Sequence, residues 1–147
     1  MVYMTNNINY LDIIVLKNID EDSTVERFGP IINTSFFETA NILGSMKVRG
    51  LIDIQSSIGG LSPIIILPYG RDVISLAIKK AAEPLDELDY EILSSLRRLN
   101  ELSLLEKNLN IYPSDLAFRL YKLKSGGYIS DQVQSARVFI SLTEKGF

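Results

Sequence analysis

Apolar positions along the chain recur at helical spacing in short runs, and proline, glycine and serine separate the runs. Leu88, Ile92, Leu96 and Leu99 are spaced four, four and three residues apart, which is one stripe of an α-helix. The segment Tyr10 to Ile19 is short and almost wholly apolar, and on its own reads equally as helix or strand. Self-comparison resolves it. A shift of 77 residues lays residues 11–52 on residues 88–129, and nine of those 42 pairs are identical, against roughly three by chance. They are Leu11/Leu88, Asp12/Asp89, Leu16/Leu93, Asn33/Asn110, Ala40/Ala117, Leu43/Leu120, Lys47/Lys124, Gly50/Gly127 and Ile52/Ile129. The pattern predicts two copies of one unit, each opening with a helix.

Within copy one, Ser23 followed by Glu26 reads as a capping box, and that helix is expected to stop near Phe28 because Pro30 lacks the N–H to extend it. Ser35 with Glu38 opens a third helix running to about Arg49, where Gly50 supplies a positive-φ stop. In copy two, Ser114 after Pro113 is expected to cap a helix from Asp115 to Lys124, closed by Gly126-Gly127. Each glycine stop leads into a β-hairpin signal. Copy one gives Leu51 to Ile54, a turn over 56–60 and Ile64 to Leu67; copy two gives Tyr128-Ile129, a polar stretch 130–136 and Val138 to Leu142. A trailing helix over 71–82 joins the copies. Its counterpart is missing after Thr143-Glu144-Lys145-Gly146-Phe147, so either copy two lacks it or the chain is shorter than the gene product. The domains are read as 1–84 and 85–147.

Composition narrows the chemistry more than any motif does. The chain has 147 residues with no Cys, His or Trp, which excludes a disulfide, a Cys/His zinc site and any couple built on His. No cofactor or resident metal is expected. Asp20-Glu21-Asp22 lacks the alternation and glycine of a calcium loop, and Gly59-Gly60 is not followed by the Lys-Ser or Lys-Thr of a phosphate loop. Asp12 and Asp89 read as caps or exposed charges, and the aromatics at Phe28, Phe36, Phe37, Phe139 and Phe147 as packing. An enzyme is therefore a distant reading. Apolar residues at 46%, with no run near the roughly 20 residues of a membrane span, point to a soluble, cytoplasmic chain that self-associates.

Three helices followed by a hairpin, repeated, resemble the winged-helix variant of helix-turn-helix folds, an α+β, helix-dominated class. Leu120 to Ile129 followed by Ile140-Ser141-Leu142-Thr143-Glu144-Lys145-Gly146 is similar to the recognition-helix end, wing and last-helix start of MarR-like regulators. Met46 to Ile52 repeats the first part of it, and Leu67-Pro68-Tyr69-Gly70-Arg71 is a less typical version of the second. The resemblance implies a small transcriptional regulator that binds double-stranded DNA, with the third helix in the major groove and the hairpin on phosphate.

Carried onto copy two, the resemblance makes Leu116, Ala117, Leu120 and Leu123 the inward stripe. Phe118, Arg119, Tyr121 and Lys122 then point outward, with Lys124 near the helix end, Tyr112 and Ser114 at its start and Arg137 on the hairpin. Those cations serve equally as a DNA-contact set or as a solvated helix face. Copy one presents a neutral face, Asn41, Ile42 and Ser45, with Ile58 and Leu61 on its hairpin loop; it suits protein contact or a homodimer better than phosphate. The net charge of −3 also weighs against a strong DNA binder. The alternative is an adaptor that uses both winged helices for protein assembly, as in subunits of membrane-sorting and chromosome-condensing complexes. One continuous positive surface joining the third helix of copy two to its hairpin favours DNA, and scattered cations with an apolar exposed face favour the adaptor.

Overall fold

The computed structural model describes residues 7–56 and 59–147. Helix α1 (Tyr10–Asn18) starts at Asn9, whose side chain accepts from the Asp12 amide while the Asp12 carboxylate accepts from the Asn9 amide. Helix α5 (Glu87–Ser95) starts in the same reciprocal way with Asp86 and Asp89. Both boxes lie 77 residues apart, so the repeat extends to the atoms that start each helix.

Helix α2 (Val25–Phe28) is one turn, and the chain continues through Pro30 as a 3₁₀ turn, Gly29–Ile32. Its N-cap is Thr24, without a side-chain bond, so the box expected from Ser23 and Glu26 does not form. Ser23 instead accepts from the Asp20 amide, and Glu26 reaches across to the Ser62 amide. Hydrogen bonding to that amide holds the Glu26 carboxyl below its ordinary range. Helix α3 (Phe36–Val48) is capped by Ser35 as its sequence predicts, but the Ser35 hydroxyl donates to the Glu38 side chain and the helix N-terminus keeps only the Glu38 amide contact.

Strands β1 (Ile52–Ile54) and β2 (Ile64–Ile66) form an antiparallel hairpin with Ile52 opposite Ile66. Helix α4 (Pro68–Ala81) begins three residues earlier than the pattern suggests, because Pro68 occupies the first turn, where no N–H is needed. In copy two, α6 (Leu102–Asn108) and α7 (Pro113–Ser125) follow α5, and Tyr112, not Ser114, is the N-cap of α7, with Pro113 first in the helix. Strands β3 (Ile129–Gln134) and β4 (Arg137–Leu142) pair antiparallel over six residues each. The polar stretch expected to be loop is therefore mostly strand. Ser135 and Ala136 turn the hairpin at φ 49° and 65°, a left-handed pair that carries no glycine signal. A 3₁₀ turn, Glu144–Gly146, follows.

The fold is thus α+β and helix-dominated, with seven α-helices and two separate two-stranded sheets among the described residues. Helix–helix–helix–hairpin occurs twice. In each copy the segment before the second helix makes an isolated bridge to the hairpin, Thr24 with Pro63 and Glu101 with Phe139. After each hairpin the chain returns to the same place: the Leu67 amide donates to the Leu51 carbonyl and the Thr143 amide to the Tyr128 carbonyl. Gly70 and Gly146 make that return possible, since a Cβ on either would drive into the carbonyl oxygen of Leu51 or Tyr128. Buried apolar side chains from both copies form one contiguous cluster, from Ile8 to Ile140. Phe28 lies in it, whereas Phe36, Phe37 and Phe147 stand exposed, against their expected packing role. Among the described residues no helix is long and apolar enough to cross a membrane.

Candidate interaction surfaces

Helix α7 carries the residues singled out for DNA, and its outward face is not free. Helices α1 and α4 of copy one pack directly on it. Phe118 is 4% exposed, with the Lys80 ammonium 5.8 Å from its ring centroid, and Lys122 is 7% exposed. Both were expected to face solvent. They are buried because α7 packs on two sides: Leu116, Ala117, Leu120 and Leu123 serve copy two's own core, while Phe118 and Lys122 meet copy one. Ser114, also placed in the DNA set, is buried at the same helix's first turn.

The cations of that face are consumed internally. The Lys122 ammonium pairs with the fully buried Asp89 carboxylate and donates to the Pro84 carbonyl at 3.4 Å. Arg119 sits among three carboxylates, bonding Asp86 at 2.6 Å, Asp115 at 2.9 Å and Asp89 at 3.1 Å. Burial alone would lower the Arg119 pKa, but hydrogen bonds to Asp86 and Asp89 and the charge of Asp115 raise it above its ordinary value. In return, the Arg119 hydrogen bond and then the Asp89 amide hold the Asp86 carboxyl at about 2. Lys124 pairs with Asp131 at 2.9 Å and Arg137 with Glu101 at 3.1 Å. Tyr112 remains widely exposed at the helix start.

Tyr121 lines a cleft of about 280 Å³ between the copies, with Tyr10, Ile13, Ile14, Lys17 and Lys124. The Lys17 ammonium lies 5.9 Å from the Tyr121 ring centroid. At the back of the cleft the Tyr10 hydroxyl donates to Asp131 at 2.5 Å, and burial followed by the Asp131 charge raises its pKa. Asn33 adds a further link between copies, donating to the Val133 carbonyl at 2.9 Å.

Helix α3 is the contrasting case. Phe37 is 80% exposed and Val48 87%, with Asn41 and Ser45 exposed between them on the same stripe. Ile42 is half-buried against the core, Leu61 is half-buried on the hairpin loop, and Ile58 lies outside the described residues. Of the two cations near the end of α3, Arg49 is taken up by a bidentate pair with Asp12, at 2.6 and 2.7 Å. Among the described residues Lys47 makes an exposed 3.8 Å pair with Asp53 and no closer one. Hydrogen bonding to Asp12 raises the Arg49 pKa further.

Sequence reasoning read Asp12 and Asp89 as caps or exposed charges; both do cap their helices, but they are buried, and their ion pairs were missed. Each is the third helical residue of a capping box, and each is buried on a cation from its own copy's third helix or just past it. The signal was present as an Asn or Asp three residues before a repeated Asp. No family model, no curated protein and no solved structure matches the chain.

Proposed function

We propose that this chain is a non-enzymatic assembly module: two winged helices in tandem, joined face to face, that contact protein through the exposed stripe of α3. The winged-helix reading is supported by the twice-repeated element order and by the equivalent bridges from the segment before each second helix to its hairpin. The observation that carries the functional reading is the cover on α7. A winged helix reads duplex by placing its third helix in the major groove, and here that face is filled by α1 and α4. Its cations Arg119 and Lys122 have carboxylate partners, so they offer little counterion release to phosphate. On α3 the corresponding face is open, neutral and flanked by exposed aromatics, a composition suited to a protein partner.

The DNA-regulator reading rests on what α7 leaves outside, namely Tyr112, Lys124 and Arg137. Anisotropy of a labelled mixed-sequence duplex at 50 and 200 mM salt separates the two. The expected result is no binding at tens of micromolar protein in low salt. Salt-sensitive binding that disappears in a Lys124→Glu, Arg137→Glu variant overturns the assembly reading and restores copy two as the DNA surface.

A further inference from the structure

The internal repeat shows what covers a face like that of α3. At an offset of 77, the α7 positions that meet copy one, Phe118, Tyr121, Lys122 and Ser125, correspond to Asn41, Gly44, Ser45 and Val48 on α3. The α1 positions lining the cleft beside α7, Tyr10, Ile13, Ile14 and Lys17, correspond to Glu87, Tyr90, Glu91 and Ser94 on α5. All four α5 residues are exposed. The chain therefore holds one copy of an α1-on-α7 seat and, on α3 and α5, the exposed halves of a second.

We propose that copies of this chain associate head to tail, the α5 face of one molecule seating on the α3 face of the next. This rests on the reading of α3 as a protein surface. Size and charge fit the equivalence at two separate places. Ile13 and Tyr121 line the same cleft within the chain; their counterparts exchange bulk, with a large exposed Tyr90 facing the position of Gly44. A Cβ at Gly44 meets nothing within 4 Å, so the helix surface there is open to a ring from outside. Tyr10 and Ile14 share the same cleft with Lys124; their counterparts Glu87 and Glu91 arrive beside Lys47, whose partner within the chain is weak and exposed. The acidic face thus meets the available cation.

Such a contact is heterologous, since the two surfaces differ, and its repetition builds chains instead of closed pairs. Association through it is concentration-dependent.

Sedimentation velocity of the full chain from about 10 µM to 1 mM tests it, with Gly44→Arg blocking one surface and Tyr90→Ala, Glu91→Lys the other. The expected result is a mean mass that climbs past the dimer in the parent chain, and monomers for each variant alone. An equimolar mixture of the two variants, which retains one good surface on each, stops at the dimer. Tyr90 and Glu91 are exposed and Gly44 has open space where a Cβ would stand, so unchanged melting curves are expected and show that the variants fold. A parent chain monomeric throughout overturns the proposal. So does a dimer that Gly44→Arg abolishes and Tyr90→Ala, Glu91→Lys leaves intact, since that is symmetric α3–α3 pairing; it would leave α3 a protein surface. Failure of the underlying reading is seen separately, as salt-sensitive duplex binding.

Discussion

Thr39 is fully buried in α3, and its hydroxyl has no hydrogen-bond partner among the described residues. Copy two places Leu116 at the equivalent position, also fully buried. Thr39→Val keeps the shape and removes the stranded hydroxyl, so it is expected to stabilise the chain by about 1 kcal/mol. Thermal melting followed by circular dichroism checks it, as a rise of roughly 2–4 °C. A second residue-scale prediction concerns acid. The Asp86 carboxyl sits at about 2 against an ordinary 3.8, so the unfolded state binds its proton first. Its contribution is present above pH 4 and lost as pH falls towards 2; the group is half-exposed, so solvent screening keeps it small. Asp86→Asn preserves an N-cap of the kind Asn9 provides. It is expected to flatten part of the fall in melting temperature between pH 4 and pH 2, read in a series of melts.

At the scale of elements, the two third helices share a pattern and differ in surroundings. Phe118→Ala on α7 is expected to cost about 3 kcal/mol or more, as a buried aromatic lost from between α7 and α4. Asn41→Ala at the equivalent exposed place on α3 should stay within about 0.5 kcal/mol, and urea titration measures both. The repeat made most of these elements legible: Asp12 over Asp89 and Gly50 over Gly127 located both first helices and both hairpins. The second cover on α7 was not legible. Periodicity marks the stripe a helix turns to its own unit, and Arg119, Lys122 and Lys124 beside that stripe read as solvated. Asp86 and Asp89, at the start of α5, lie 30 to 33 residues before Arg119, and nothing local announces them. Asp115, one turn before Arg119, is the exception, and Asp131, which takes Lys124, sits on a strand the pattern does not mark. Strand β3 was hidden for a different reason. Ser130, Asp131, Gln132 and Gln134 are polar, and Ser135-Ala136 adopts left-handed geometry without the glycine that marks such turns.

For the whole molecule, the single buried cluster has a thermodynamic consequence. Helices α1 and α4 of copy one pack on α7 of copy two, the Tyr10 hydroxyl donates to Asp131 and the Asn33 side chain to the Val133 carbonyl; neither unit keeps its surface satisfied without the other. The chain is expected to unfold in one transition, with calorimetric and van't Hoff enthalpies in a ratio of about 1. Two resolved transitions would mean that the contact between copies contributes little. The α+β class, the doubled order and the exposed neutral face of α3 were all readable from residue pattern. The coupling of the two units was not, since it depends on contacts such as Tyr10 with Asp131, separated by 121 positions.

The seat on α7 is also completed well after the helices that fill it. During synthesis, α1 and α4 leave the ribosome with their inward residues Ile13, Ile14, Val73 and Ala77 in place, while the helix that covers them is still 44 residues from completion, Ala82 through Ser125. At roughly 5–20 residues per second, that is an interval of about 2–9 s in which the first unit stands with an open apolar face. A neighbouring nascent chain that has already released its α7 carries the matching helix. The tie between copies that makes the finished protein one body therefore makes the half-made one open to exchange, and the crowding of ribosomes on one message sets how often two such chains meet.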